Sequence, residues 1–545
     1  SKTYVESANK TKETEREMIT EKTGSDDDII ESFETNEDEI RAAIKEMKNS
    51  GTKDPMGITT TIIKKLQTPL IPVITKLANM SFQQERVPNC VKEIDIVVIP
   101  KPGKDMRMPG NLRPLNITSI LVKIWERTVK SKIYPWLEQK NFFTDTQYGF
   151  RKNRSTIGGL ASIQNEIQSI INQRQKVRGQ VIALDFEKCF DTLNFDKIVE
   201  ECGKAGIRGR ALKWLEDWLK NNKFKCKIQN VRSKARDVKS GSKQGSVLGP
   251  LLFLVFLESL LRLLPTGKCK ITKNCEGLTC CNKNIRIFAF ADDMTIIYRY
   301  KKGTKIKKEM QDILDICTKW SEETGLKFNV NKCEKITLGG KNKAKEDLIL
   351  LGKPIKNQPK IKILGLYIQS NSINPLKINK IRAKYSSRTN YDRVRTYYRK
   401  ATFGEMKILW SSYIEAKSLY ACEAFSKASA KKTADGDYEI TGKEDWLRMM
   451  DNQYKKAFSC KYPRKGTINT KWNAIPLFPS ERAIARSLLQ VILIQAGHGE
   501  KYGLIRDEFL PTNQISRNTR MNTKTLIERS LSSSDHHQKG LSVMD

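Results

Sequence analysis

The stretch Ile285-Arg-Ile-Phe-Ala-Phe-Ala-Asp-Asp-Met-Thr-Ile-Ile-Tyr-Arg299 decides how this chain folds. Apolar, β-branched and aromatic residues flank two adjacent carboxylates, Asp292 and Asp293, on both sides. Such runs read as two strands with the acids at the tight turn between them. Two bare carboxylates there repel each other, and a divalent cation neutralises such a pair. Phosphoryl transfer is therefore the first chemistry the sequence suggests.

Working outward, a third acid ends another apolar strand, Gly179-Gln-Val-Ile-Ala-Leu-Asp185. It lies 292 − 185 = 107 residues upstream, so only a fold can join the three. If the strands are neighbours, the carboxylates clamp two Mg²⁺ ions. One would activate a primer 3′-hydroxyl and the other would hold a triphosphate and its leaving pyrophosphate. A single strand-end aspartate commonly caps a helix or a turn. Three together fit that bland role poorly.

Lysine and arginine number 98 against 61 acids, a formal charge of +37 and a pI near 9.7. Such a surplus suits a polyanionic partner, nucleic acid before anionic membrane, although a generically basic protein shows it too. The longest apolar run, Val247 to Pro265, is interrupted by Gly249-Pro250, Glu258 and Arg262 and reads as a buried helix rather than a membrane span. Most of the 12 cysteines are scattered, as free thiols in a reducing compartment are. The three histidines, His498, His536 and His537, all lie near the C-terminus, so histidine acid–base chemistry is not expected. A charged N-terminus without a signal peptide, starting at Ser1, is expected of a fragment.

Helical spacing appears from Asp38, over Ile62–Arg86, Ile117–Lys140, Arg210–Asn221 and Lys305–Trp320. Strands are expected at Ile94–Pro100, Gly179–Asp185, Lys327–Val330 and Lys335–Leu338. Strands alternating with packed helices around the acids imply an α+β split-βαβ core. In Pro375–Lys400 a dense set of basic residues, Lys377 and Lys384 among them, faces one acid, Asp392, with tyrosines interleaved. That composition suits a nucleic-acid backbone, against the bland reading of a solvated basic helix. Ser426–Glu444 reads as a polar linker and Trp446–Gln495 as helical again.

The chain resembles the reverse transcriptases of non-LTR (LINE-type) retrotransposons. The resemblance rests on Ile99–Asp105, Asn111–Leu115, Gln147–Thr156, the Asp185 block, Gln244–Pro250, Phe290–Asp293, Asn329–Lys332 and Ile363–Ile368, in the family's order. It implies a right-hand polymerase: fingers over 38–178, a split-βαβ palm over 179–372 and a helical thumb over 373–430. A charged, flexible lead-in over 1–37 precedes them. A helical region over 431–515 and a disordered tail over 516–545 follow.

The resemblance also implies roles. Asp185, Asp292 and Asp293 would bind the catalytic metals, two Mg²⁺ or alternatively Mn²⁺, with the Phe186 carbonyl a further ligand. Lys101 and Arg113 would hold the triphosphate. Phe190 would stack below the sugar and exclude a 2′-hydroxyl, and Gln244 would touch nucleotide and template. Lys332 would lie near the pyrophosphate. Arg151, Arg154, Gly245, Lys377 and Lys384 would contact template or primer, and Asp191 would be structural. The implied partners are an RNA template, a DNA primer or target, deoxynucleoside triphosphates and a separate endonuclease or accessory protein, in the nucleus and off the membrane.

The sequence departs from the family at Ser50–Gly57, where a template-clamping block is less well matched. No endonuclease-like acidic set precedes residue 38, and no RNase H carboxylate set follows 430. Cys269, Cys275, Cys280 and Cys281 stand at spacings that chelate zinc poorly, so free thiols are expected there. A group II intron maturase or domesticated relative is the rival enzyme. A catalytically dead RNA-binding scaffold on the same fold is the rival of another class.

Overall fold

The computed structural model describes residues 29–398 with interruptions, the longest being 265–283, and beyond them short stretches as far as residue 453. The principal helices are α1 (Glu37–Glu46), α2 (Gln67–Gln83), α3 (Ile120–Gln139), α4 (Thr156–Asn172), α5 (Phe195–Ala205), α6 (Gly209–Leu219), α7 (Gly249–Leu263), α8 (Lys307–Thr324) and α9 (Lys377–Tyr398). The strands that matter are β1 (Glu93–Pro100), β2 (Leu112–Ile117), β3 (Val177–Leu184), β4 (Lys223–Ile228), β5 (Ile285–Phe290), β6 (Asp293–Lys301), β7 (Glu334–Leu338), β8 (Lys356–Asn357), β9 (Lys360–Ile363) and β10 (Leu366–Gln369).

The central sheet has the order β8-β7-β3-β6-β5. β3 lies in its middle, antiparallel to β7 and to β6. A strand sends alternate side chains to opposite faces, so a central strand is apolar on both. Val181 and Ile297 join a cluster with Leu160, Ile163 and Ile167 of α4. Their neighbours Ile182 and Ile296 join the larger core with Leu252 and Phe256 of α7 and Ile313 of α8. Helices therefore cover both faces, and the strand ends carrying the acids meet at one edge.

α7 is buried almost all round, and its Glu258 is only 1% exposed. Glu258 accepts a hydrogen bond from the Thr144 amide at 2.8 Å. Burial pushes its carboxyl up to about 7, with the Thr144 amide and Arg262 opposing. The folded value lies above the unfolded one. The stability it contributes is therefore complete below pH about 4.5 and lost as pH rises through about 7. Glu258→Gln is expected to remove this slope, leaving the variant relatively more stable by up to about 3 kcal/mol at pH 8. Thermal unfolding from pH 5 to 8 checks it; parallel curves for the two proteins would refute it.

A second sheet pairs β1 with β2 antiparallel and with β4 parallel. Several expected boundaries shift. The segment Ile117–Lys140 is not one helix, because Ile117 ends β2 and α3 begins at Ile120. The reading of Ile62–Arg86 breaks at Leu66 between a short helix, Thr60–Lys65, and α2. Pro69 has no N–H to bond Lys65, which stops the first helix from continuing. Lys327–Val330 makes only an isolated bridge, Phe328 to Phe186.

Residues 29–36 are not loose. Ile30 pairs with Ile207, and Phe33 is buried edge-on against Phe82 and Trp214. Within the expected polar linker, Ser429–Lys432 pairs with Tyr438–Thr441 as a small hairpin. The start of the lead-in, the Cys269–Cys281 group, Gln244, most of 431–515 and the whole of 516–545 lie outside the described residues.

Candidate active site

Strand register brings the three acids together. Leu184 of β3 stands opposite Met294 of β6, so the next step of that ladder sets Asp185 beside Asp293. Phe290 pairs with Asp293 across the β5–β6 turn, which Ala291 and Asp292 close. Ala291 adopts a left-handed φ of 54°. That conformation costs an alanine about 1–2 kcal/mol and must be held by its surroundings. Asp185 is itself anchored, its carbonyl accepting from the Asn329 amide at 2.7 Å.

Desolvation, then the Asp292 and Asp185 charges, push the Asp293 carboxyl up to about 6, while Lys332 and Lys362 pull it down. Asp293 is nevertheless open to solvent on one side, so water screens part of that repulsion. Asp185 Oδ2 is buried and accepts no hydrogen bond, yet the Lys332 ammonium stands 2.9 Å from it. A cation against a buried carboxylate oxygen, with two more carboxylates beside it, occupies ground suited to a divalent ion. Among the described residues no three acidic, thiol or imidazole groups are closed around one point. Cys189 donates its thiol to Asp292 Oδ2 at 3.5 Å, and burial pushes that thiol's pKa far up, so it stays protonated.

The other expected site residues divide. Phe186 has its ring in the core, stacked on Phe328 at 4.5 Å. Bonds from Glu187 to Lys327 and from Asn329 to Asp185 fix the backbone on both sides of its carbonyl. Phe190 is half-buried against Phe253, ring centroids 4.9 Å apart. Lys101 follows β1 and its charge reaches Asp191, whose carboxyl burial raises and Lys188 and Lys101 lower. Arg113 is exposed on β2, opposite Ile99. Lys377 and Lys384 lie on the exposed side of α9. The opposite side is a buried stripe of Asn379, Ala383, Ser387, Asn390 and Val394.

Three of the expected template or primer contacts, Arg151, Arg154 and Gly245, are engaged within the protein. Arg151 is buried and bonds both oxygens of Glu138, at 2.9 and 2.7 Å, as well as the Thr144 carbonyl. A guanidinium so satisfied is unavailable to a phosphate. Arg154 turns to Asp145 at 2.8 Å and lies over the Tyr148 ring. Gly245 needs its φ of 104° and its missing Cβ because the Asn116 carbonyl would stand 3.0 Å from that atom. The close approach is to β2 backbone.

The structure also adds residues. Lys362 on β9 contributes positive charge at Asp293, and Arg382 of α9 lies 3.8 Å over Tyr367 of β10. The alternation Lys360-Ile-Lys-Ile363 shows a strand, but not that one of its lysines faces the acids. In the Ser50–Gly57 block, Asp54 is buried and accepts from the Ile120 amide at 3.0 Å, capping α3.

Residues 99–368 match the reverse transcriptase (RNA-dependent DNA polymerase) family. The chain is 24% identical over 295 residues to a probable RNA-directed DNA polymerase from transposon BS of Drosophila melanogaster, covering 54% of this chain and 31% of the relative. It is 22% identical to the RNA-directed DNA polymerase from mobile element jockey of the same fly, over 59% of this chain and 34% of the relative. It is 25% identical to the Pol polyprotein from the type-1 retrotransposable element R2 of Nasonia vitripennis, over 55% and 27%. The matched region thus spans about a third of these relatives. Among solved structures, telomerase from Candida albicans with a fragment of telomeric RNA aligns at a TM-score of 0.42 and 11% identity, over 77% of this chain and 70% of that one.

Proposed function

We propose that this chain is an RNA-directed DNA polymerase of a non-LTR retroelement, copying an RNA template from a DNA 3′-end by target-primed reverse transcription in the nucleus. The observation that carries the reading is the β3–β6 register, which sets Asp185 beside the Asp292-Asp293 turn. Mg²⁺, when bound by these carboxylates and the Phe186 carbonyl, supplies Lewis acidity to the 3′-hydroxyl and the triphosphate. Lys101 and Arg113, on the β1–β2 hairpin, offer charge to the triphosphate. Lys332, paired to Asp185 at 2.9 Å, would offer a cation to a departing pyrophosphate. Lys377 and Lys384 offer the exposed face of α9 to a backbone.

Primer extension on RNA by wild type and by Asp292→Ala tests the reading. Template-dependent extension by the wild type alone is expected, and equal activity in both would sink it. Phe190 gives a second expectation. Its ring packs on Phe253, which supports reading it as a rigid wall beneath the sugar. Phe190→Val is expected to reduce the preference for deoxynucleotides over ribonucleotides by about a hundredfold. Single-nucleotide insertion with each triphosphate measures the ratio. An unchanged ratio would return Phe190 to the core.

A further inference from the structure

We propose that Gln147 is a positioning residue that locks the Ala291-Asp292-Asp293 turn in its metal-binding shape. The inference rests on the polymerase reading and deepens it.

The segment Thr146–Gly149 runs alongside the end of β5. The Ala289 amide donates to the Thr146 carbonyl at 2.8 Å, and the Tyr148 amide donates to the Ala289 carbonyl at 2.7 Å. Gln147 is 1% exposed. Its Oε1 accepts from the Gly149 amide at 2.7 Å and from the Ala291 amide at 3.0 Å. One side-chain oxygen therefore ties the strap to the residue that precedes Asp292. Two N–H donors fix the amide's orientation, since the reversed amide would set N–H against N–H. Its Nε2 is buried without a partner, an expense accepted for this one bridge.

Two observations show how much the turn depends on being held. Ala291 sits at a φ of 54°, which an alanine does not favour by itself. Gly149 packs so closely that a Cβ there would lie 2.2 Å from the Ala291 nitrogen. Release of the Ala291 amide lets the turn relax toward ordinary φ values. The Asp292 carboxylate would then rotate away from Asp185, while β5 and β6 stay paired. Metal sites lose function when their carboxylates drift by less than an ångström.

The test compares full-length wild type, Gln147→Met and Gln147→Met/Ala291→Gly. Gln147→Met keeps volume and removes the acceptor. Ser162→Ala strips the Tyr148 hydroxyl of its 2.9 Å partner under the same strap and serves as the structural control. Mn²⁺ binding is read from the paramagnetic resonance of free Mn²⁺, and steady-state extension gives kcat and KM.

Gln147→Met is expected to bind Mn²⁺ about tenfold more weakly and to lose about 30-fold in kcat, with KM for the nucleotide within about threefold. Glycine at 291 adopts the left-handed turn freely, so the double variant should recover part of both losses. Gln147→Met with wild-type affinity and kcat, or Ser162→Ala with equal losses, would overturn the lock. If Gln147→Met does not fold, wild-type amide exchange decides: the Ala291 amide should exchange as slowly as the β5–β6 ladder, and exchange at the rate of an open turn overturns the lock. A wild type that neither binds Mn²⁺ nor extends a primer refutes the polymerase reading instead.

Discussion

Asp185→Asn is expected to lower kcat for primer extension by about 10⁴-fold, on the order of 5 kcal/mol of transition-state stabilisation. The substitution is isosteric, so it leaves β3 and its register intact. It removes the one carboxylate that faces Asp293 from the neighbouring strand and the anion that the Lys332 ammonium meets at 2.9 Å. A metal clamped between two strands then has ligands on only one. Stability should move the other way. Asp185 is one of the charges pushing the Asp293 carboxyl up, so its neutralisation relieves repulsion in the metal-free protein. The expected result is a large kinetic loss with an unchanged or raised unfolding temperature. Primer extension and a metal-free thermal scan measure the pair of outcomes. Activity within tenfold of wild type would remove Asp185 from the metal site.

The parts of this site that were legible in the sequence are those written into local pattern. Continuous apolar runs ending on acids announce strands buried on both faces, and β3, β5 and β6 follow them closely. The resemblance implied that Asp185 meets Asp292 and Asp293, but local pattern alone does not show the register, which spans 293 − 185 = 108 residues from Asp185 to Asp293 and is set by packing on α4 and α7. Charge was the less reliable guide. Arg151 and Arg154 stand in a basic block that reads as a template contact, yet Glu138 on α3 and Asp145 in the following loop claim them. Sequence shows the donors but not which acceptor the fold delivers. Gln147 was hidden for a related reason. A lone glutamine between Thr146 and Tyr148 carries no periodic signal, and its bond to Ala291 bridges 144 residues.

The same point governs Lys243 and Val247, which flank the implied nucleotide contact Gln244 in sequence, and it yields the largest stability effect expected here. Glu126, fully buried on α3, accepts from the Trp218 indole at 3.0 Å and from the Val247 amide at 2.6 Å. Lys243 donates to the Trp218 carbonyl at 2.7 Å and lies 4.3 Å over its ring. Burial lowers that ammonium to about 7 although Glu126 draws it back up. One carboxylate thus holds both ends of the Lys243–Val247 turn, directly and through Trp218. Glu126→Ala leaves an indole N–H and a backbone N–H without their acceptor and takes away the negative charge that draws the buried Lys243 ammonium back up. Removing one side of such a network costs about 3–5 kcal/mol. Glu126→Gln keeps an acceptor for one donor and sets its own amide hydrogens against the other, so an intermediate cost is expected. Urea unfolding at pH 7 orders the three proteins, and a Glu126→Ala midpoint equal to wild type would show that the network carries no stability. The turn should loosen before the sheet does. Glu126→Gln is therefore expected to raise KM for the nucleotide more than it lowers kcat, because Asp185, Asp292 and Asp293 are held by strands that Glu126 does not touch.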